Sequence, residues 1–134
     1  MATSGTLPPT EPSTGSGVAR AHRILAHVFL GVAALVQFFL AGLIAFGHGG
    51  VDAHAGIGTL LTDLALVLAV LAYVGRRAAL QASLVLLGLM IVQNVLGAAG
   101  DSVAVLGALH PVNGLLILGA AVLTMLGRPV RPAR

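Results

Sequence analysis

Between Arg23 and Arg76 the chain carries only two charged residues, Asp52 and Asp63, and between Arg77 and Arg128 only Asp101. Apolar stretches this long and this free of charge restrict a chain to few folds. A run from about Ile24 to Phe46 is long enough to cross a hydrocarbon core of about 30 Å. Three more runs follow, at about 54–74, 80–99 and 110–126. Within a bilayer every backbone N–H and C=O must be paired inside the segment, so each run is expected to be a helix. Over all 134 residues, 57% are hydrophobic and 8% charged, too little charge to cover a soluble surface. The fold class expected is therefore all-α, an integral membrane four-helix bundle. The bundle occupies residues 20–128, after a disordered tail over 1–19 rich in Ser, Thr, Pro and Gly and before a short tail over 129–134. The first apolar run exceeds the length of a signal-peptide core, so it is read as a retained span.

The placement of arginine orients the bundle. Arg20 and Arg23 precede the first span, Arg76 and Arg77 join the second to the third, and Arg128, Arg131 and Arg134 follow the fourth. With four spans these three segments share one side, which the positive-inside rule makes cytoplasmic. Both termini are then expected in the cytoplasm, with Asp52 and Asp101 on the opposite face of a cell inner (plasma) membrane. This basic face is expected to meet anionic lipid. No nucleic-acid module, phosphate loop or hydrolase elbow is present, and the absence of cysteine excludes disulfides and thiolate chemistry.

A repeat runs through the spans. Gln37 and Gln93 lie 56 positions apart, as do His54 and His110, and the same offset relates Val36 to Val92, Leu40 to Leu96, Gly58 to Gly114 and Leu60 to Leu116. A fixed period implies one structural unit made twice. Here the unit is a helical hairpin, and the two hairpins are expected to run as parallel repeats about an axis along the membrane normal. Glycines within the spans permit close helix approach.

The repeat also selects the residues able to carry chemistry. His54 and His110 are expected in the first turn of the second and fourth spans, with Pro111 suited to that turn. Each has a glycine four residues on, Gly58 and Gly114, which lies on the same face one turn deeper. Two imidazoles facing each other over such clearings match the requirement of a bis-histidine haem, whereas a bare metal ion usually takes more than two protein ligands. The alternative is that these are interfacial polar residues at helix starts, since histidine and glycine are both common there. Gln37, Gln93 and Asp63 lie deeper. Asp63 is expected to be bonded to Gln37, Gln93 or Thr62, as interhelical glue or as part of a proton relay. Of the other histidines, His22 and His48 are expected to be solvated and His27 to be surface polarity or a weak second-haem ligand. His48, Asp52 and His54 form a further, loosely specified cation site.

The sequence Q-x-x-L-G-A at Gln93–Ala98, followed by A-L-H ending at His110, resembles one half of haem A synthase. The resemblance covers about 24–126. It implies haem held between histidines at the outer ends of the second and fourth helices, the places of His54 and His110. Two departures matter: Asp52 stands where the family has a longer acidic residue at another spacing, and the family's cysteine pair is missing. What the resemblance implies is thus ligation without oxidation of a haem methyl group. The chain also looks like small uncharacterised four-span actinobacterial proteins. The function expected is that of a b-type cytochrome-like protein in electron transfer or haem handling, with haem b as cofactor and no catalytic residue. Its partners would be the lipid bilayer and a respiratory complex or a second copy. The alternatives are a cofactor-free structural or accessory subunit and, third, a small transporter.

Overall fold

A computed structural model describes residues 14–100 and 102–128. Helix α1 (Thr14–Gly31) continues through a π-helical stretch (Val32–Gln37) into α2 (Phe38–Ala45), so that one helix of 31 residues, Gly15–Ala45, forms the first span. Helices α3 (Val51–Gly75), α4 (Arg77–Gly100) and α5 (Ala104–Leu126) form the others. Among the described residues there is no strand. All four are long and apolar enough to cross a membrane. Even the 23 residues of α5 reach about 35 Å at 1.5 Å per residue.

The helices extend beyond the predicted runs. Residues 14–19, expected to be disordered, are helical; the apolar count misses them because a span's polar flank keeps the helical hydrogen-bond ladder after its hydropathy has fallen. Residues 1–13 and 129–134, with Arg131 and Arg134, lie outside the described residues, as does Asp101. Asp52 belongs to the first turn of α3 rather than to a loop, where a carboxylate complements the helix dipole. The turn before it needs glycine: Gly47, Gly49 and Gly50 have φ of 75°, 80° and 98°, a region that residues with a Cβ rarely enter.

Helix α1 packs on α3 and α5, and α4 packs on the same two helices. Two diagonals remain, α1 to α4 and α3 to α5. The shared core holds Phe29, Leu61, Leu68, Leu86 and Met90 among small residues such as Ala26, Ala65 and Ala121. Small side chains let membrane helices approach closely, where van der Waals contact replaces the missing hydrophobic drive. Backbones meet closely at Gly100 and Gly107, where a Cβ on Gly100 would lie 3.0 Å from the Gly107 Cα. Large apolar residues such as Leu35, Phe39, Leu60 and Leu115 point outward, as lipid-facing surfaces require. No residue of α2 is buried, and α2 packs on α3.

The start of α1, the α3–α4 turn and the end of α5 converge. Val18 and Ala19 press on Gly75, and the Arg76 guanidinium lies against Gly127. Arg20, Arg23, Arg76, Arg77 and Arg128 therefore gather at or near one end of the bundle, and His54 and His110 lie toward the other.

Candidate paired-histidine site

His54 is the fourth residue of α3 and His110 the seventh of α5. Helix α5 begins six residues before His110, because extended Val103 starts the hydrogen-bond ladder, its carbonyl accepting from Leu106 at 2.9 Å and from Gly107 at 3.2 Å. Pro111 is thus inside α5 and not in its first turn; its missing N–H removes one bond of the ladder.

The two imidazoles meet across the α3–α5 diagonal, with ring centroids 5.9 Å apart and planes inclined at 55°. Neither ring makes a hydrogen bond, and both Nδ1 atoms are buried without a partner. A buried polar atom left unpaired is costly, so each Nδ1 is a ready acceptor or donor. His110 is steadied by α4: a Cβ on Gly97 would lie 3.3 Å from its Cε1 and 3.4 Å from its Nδ1. Glycine at position 97 makes room for that ring, a role the repeat does not mark because its counterpart is Ala41.

Gly58 and Gly114 are where the sequence puts them, one turn below the histidines, yet their clearings are not bare. The Gln37 Nε2 atom lies 3.2 Å from where a Gly58 Cβ would stand, and the Gln93 Nε2 atom 3.8 Å from the Gly114 position. Each glutamine of the repeat thus covers the glycine of its own hairpin. Beyond that the two differ. Gln37, at the end of the π-helical stretch, donates from Nε2 to the His54 carbonyl at 3.1 Å. Gln93 accepts at Oε1 from Asn113 Nδ2 at 2.7 Å, and the same amide donates to the Leu89 carbonyl at 2.9 Å. Helical π turns widen the coil and often sit beside functional groups; here the widening delivers Gln37 to α3.

Asp63 joins none of these groups. It is exposed on the outer face of α3 and forms no hydrogen bond. Thr62, expected as one of its partners, instead donates to the Gly58 carbonyl at 3.0 Å and accepts from Asn94 at 3.0 Å. Successive residues of a helix diverge by about 100°, so Thr62 and Asp63 cannot both face the core. His48 is exposed, and His27 is exposed with its Nδ1 2.7 Å from the Arg23 carbonyl. His22, expected to be solvated, is fully buried, its Nε2 3.2 Å from Ser83 Oγ. Among the described residues no three His, Cys, Asp or Glu side chains converge, so His48, Asp52 and His54 form no cation cluster.

Among the polar residues that sequence reasoning missed are Asn113, Asn94 and the buried His22. None belongs to the repeat, since the matching positions are Ile57, Phe38 and Ala78. An amide inside an apolar run was the available signal for Asn94 and Asn113. The fold and site together define a four-helix membrane protein with one pair of half-buried imidazoles, each with a buried, unbonded Nδ1, at the end away from its arginines. No family model, curated protein or solved structure matches the chain.

Proposed function

We propose that the chain is a multi-pass protein of the cell inner membrane that holds one b-type haem between His54 and His110, near the outer face, for electron transfer or haem handling. The observation that supports this reading is the separation of the rings. Two imidazoles ligating one iron from opposite sides, each at a metal–nitrogen distance of about 2 Å, have ring centres roughly 6 Å apart; here they are 5.9 Å apart. The separation suits the group, and both Nδ1 atoms are free of hydrogen bonds, though the Nδ1 edge of His110 lies against Gly97 of α4. The expected bare glycine floor does not fit, because the Gln37 and Gln93 amides cover it. Haem would supply one-electron chemistry, and the chain would supply axial nitrogens and an apolar surround. In this reading the hairpins are parallel repeats, both termini are cytoplasmic, and the partner is a respiratory complex or a second copy.

The test is a reduced-minus-oxidised spectrum of the full chain, purified after expression with ample haem. A haem difference spectrum is expected, lost in His54→Ala and in His110→Ala. A colourless wild-type protein overturns the proposal.

The covered glycines favour a second reading, a cofactor-free structural or accessory subunit in which each glutamine locks its hairpin. That subunit would tolerate alanine at both histidines. The third reading, a small transporter, is opposed by the apolar layer of Phe29, Leu61, Leu68, Leu86 and Met90, which separates the polar groups at the two ends.

A further inference from the structure

The arginine-rich end holds a second polar centre, on the other diagonal. His22 of α1 reaches Ser83 of α4 through the middle of the bundle. His22, Ser83 and Thr124 are each 0% exposed. Three buried atoms there have no hydrogen-bond partner: His22 Nδ1, Thr124 Oγ1 and Arg76 Nη1. The chain path brings them together. Val18 and Ala19 abut the Gly75–Arg76 turn, and His22 lies one turn further along that face of α1. The Arg76 guanidinium lies against Gly127, which caps α5 in a left-handed conformation, three residues after Thr124. Arg77, the next residue, takes the opposite course: its guanidinium sits outside, 4.2 Å from the centre of the Tyr73 ring.

Arg76 Nη1 and Thr124 Oγ1 are donors, and His22 Nδ1 is a donor in the tautomer in which the Ser83 hydroxyl donates to Nε2; the guanidinium is a permanent cation. No described carboxylate offsets it. Asp63, the nearer along α3, is 13 residues away, about 20 Å at 1.5 Å per residue. Arg76 is half-buried, and its buried Nη1, left without a hydrogen-bond partner, is costly unless an acceptor such as an anion meets it. Guanidinium, hydroxyl and imidazole N–H together match the several acceptor oxygens of a phosphate group. The geometry points to an oxyanion site at the arginine-rich end, formed by Arg76, Thr124 and His22, that takes a phosphate group borne either by an anionic phospholipid or by free phosphate. Ser83 is a positioning residue that holds the imidazole.

The site is tested by thermal unfolding of the full chain in an uncharged detergent, followed by circular dichroism. One arm titrates sodium phosphate against sodium chloride at equal ionic strength; the other adds short-chain phosphatidylglycerol against short-chain phosphatidylcholine. A ligand bound only by the folded state raises the midpoint with concentration. The midpoint is expected to rise with phosphate, with phosphatidylglycerol, or with both, and the responding arm identifies the source. Arg76→Gln should weaken the apparent affinity about tenfold, the loss of one charged hydrogen bond. Thr124→Val, which keeps the side-chain shape, should weaken it by a smaller factor, and Arg77→Gln should leave it unchanged. If Arg76→Gln does not fold, Thr124→Val against Arg77→Gln decides. No shift in either arm of the wild type overturns the site, as does a shift that Thr124→Val and Arg77→Gln alter equally.

Discussion

The Asn113 amide is the part of the paired-histidine region whose worth can be worked out most directly. It is 6% exposed and gives one N–H to Gln93 Oε1 at 2.7 Å and the other to the Leu89 carbonyl at 2.9 Å. These two bonds are not equal. The Leu89 carbonyl already lies in the ladder of α4, so losing Asn113 removes only its second partner. Gln93 Oε1 loses its sole partner. Side-chain hydrogen bonds between membrane helices contribute about 0.6 kcal/mol on average and up to about 1.7 kcal/mol. Asn113→Ala should therefore destabilise the bundle by about 1–2 kcal/mol, most of it from the Gln93 bond. Unfolding in mixed micelles of rising dodecyl sulfate fraction, followed by circular dichroism, measures that loss. A double-mutant cycle with Gln93→Ala isolates the pair, with a coupling of about 0.6–1.7 kcal/mol expected. A coupling below about 0.3 kcal/mol would sink the reasoning, because independent sites add within that margin.

Three further outcomes follow from the packing. Gly100→Val should cost about 1–3 kcal/mol by overpacking, since its Cβ would meet the Gly107 backbone, whereas Gly119→Ala, with nothing within 4 Å, should be neutral or slightly stabilising; the same unfolding assay compares them. Asp63→Leu should favour insertion of α3 by about 2.5 kcal/mol or more, the price of a lipid-facing aspartate near a span's centre, and a glycosylation-based insertion assay reads this directly. Gln37→Ala removes the only side-chain hydrogen bond between the first span's outer half and α3 among the described residues, so amide exchange should rise across 38–45 and stay unchanged in α4 and α5.

The four spans and the gathering of arginines were legible in the sequence because both depend on one-dimensional quantities, hydropathy over a window and charge at its edges. Helix ends were less so: α5 starts at Ala104 because Val103 and the Gly100–Gly107 contact fix the turn, and neither is a hydropathy signal. The approach of His54 to His110 was legible from the offset they share. What covers their glycines was not. A period shows that two positions are equivalent and says nothing of which side chain from a neighbouring helix reaches them. Asp63 shows the same limit: polarity inside an apolar run argues for function, but only the helix's rotation reveals that this carboxyl faces outward.

The two polar centres differ in a way that bears on what each can do. His54 and His110 occupy the α3–α5 diagonal and belong to the repeat, whereas His22 and Ser83 occupy the α1–α4 diagonal and break it. A paired site suits a ligand that binds alike from both sides, as an iron atom does. An unpaired site with its charge on one side suits a ligand with a charged head and a defined direction of approach. Between them lies an apolar layer of Phe29, Leu61, Leu68, Leu86 and Met90. Protons and ions would have to cross that layer without a partner, which a low-dielectric interior makes costly. A perturbation at one end should therefore leave the geometry of the other intact, while both depend on the shared core.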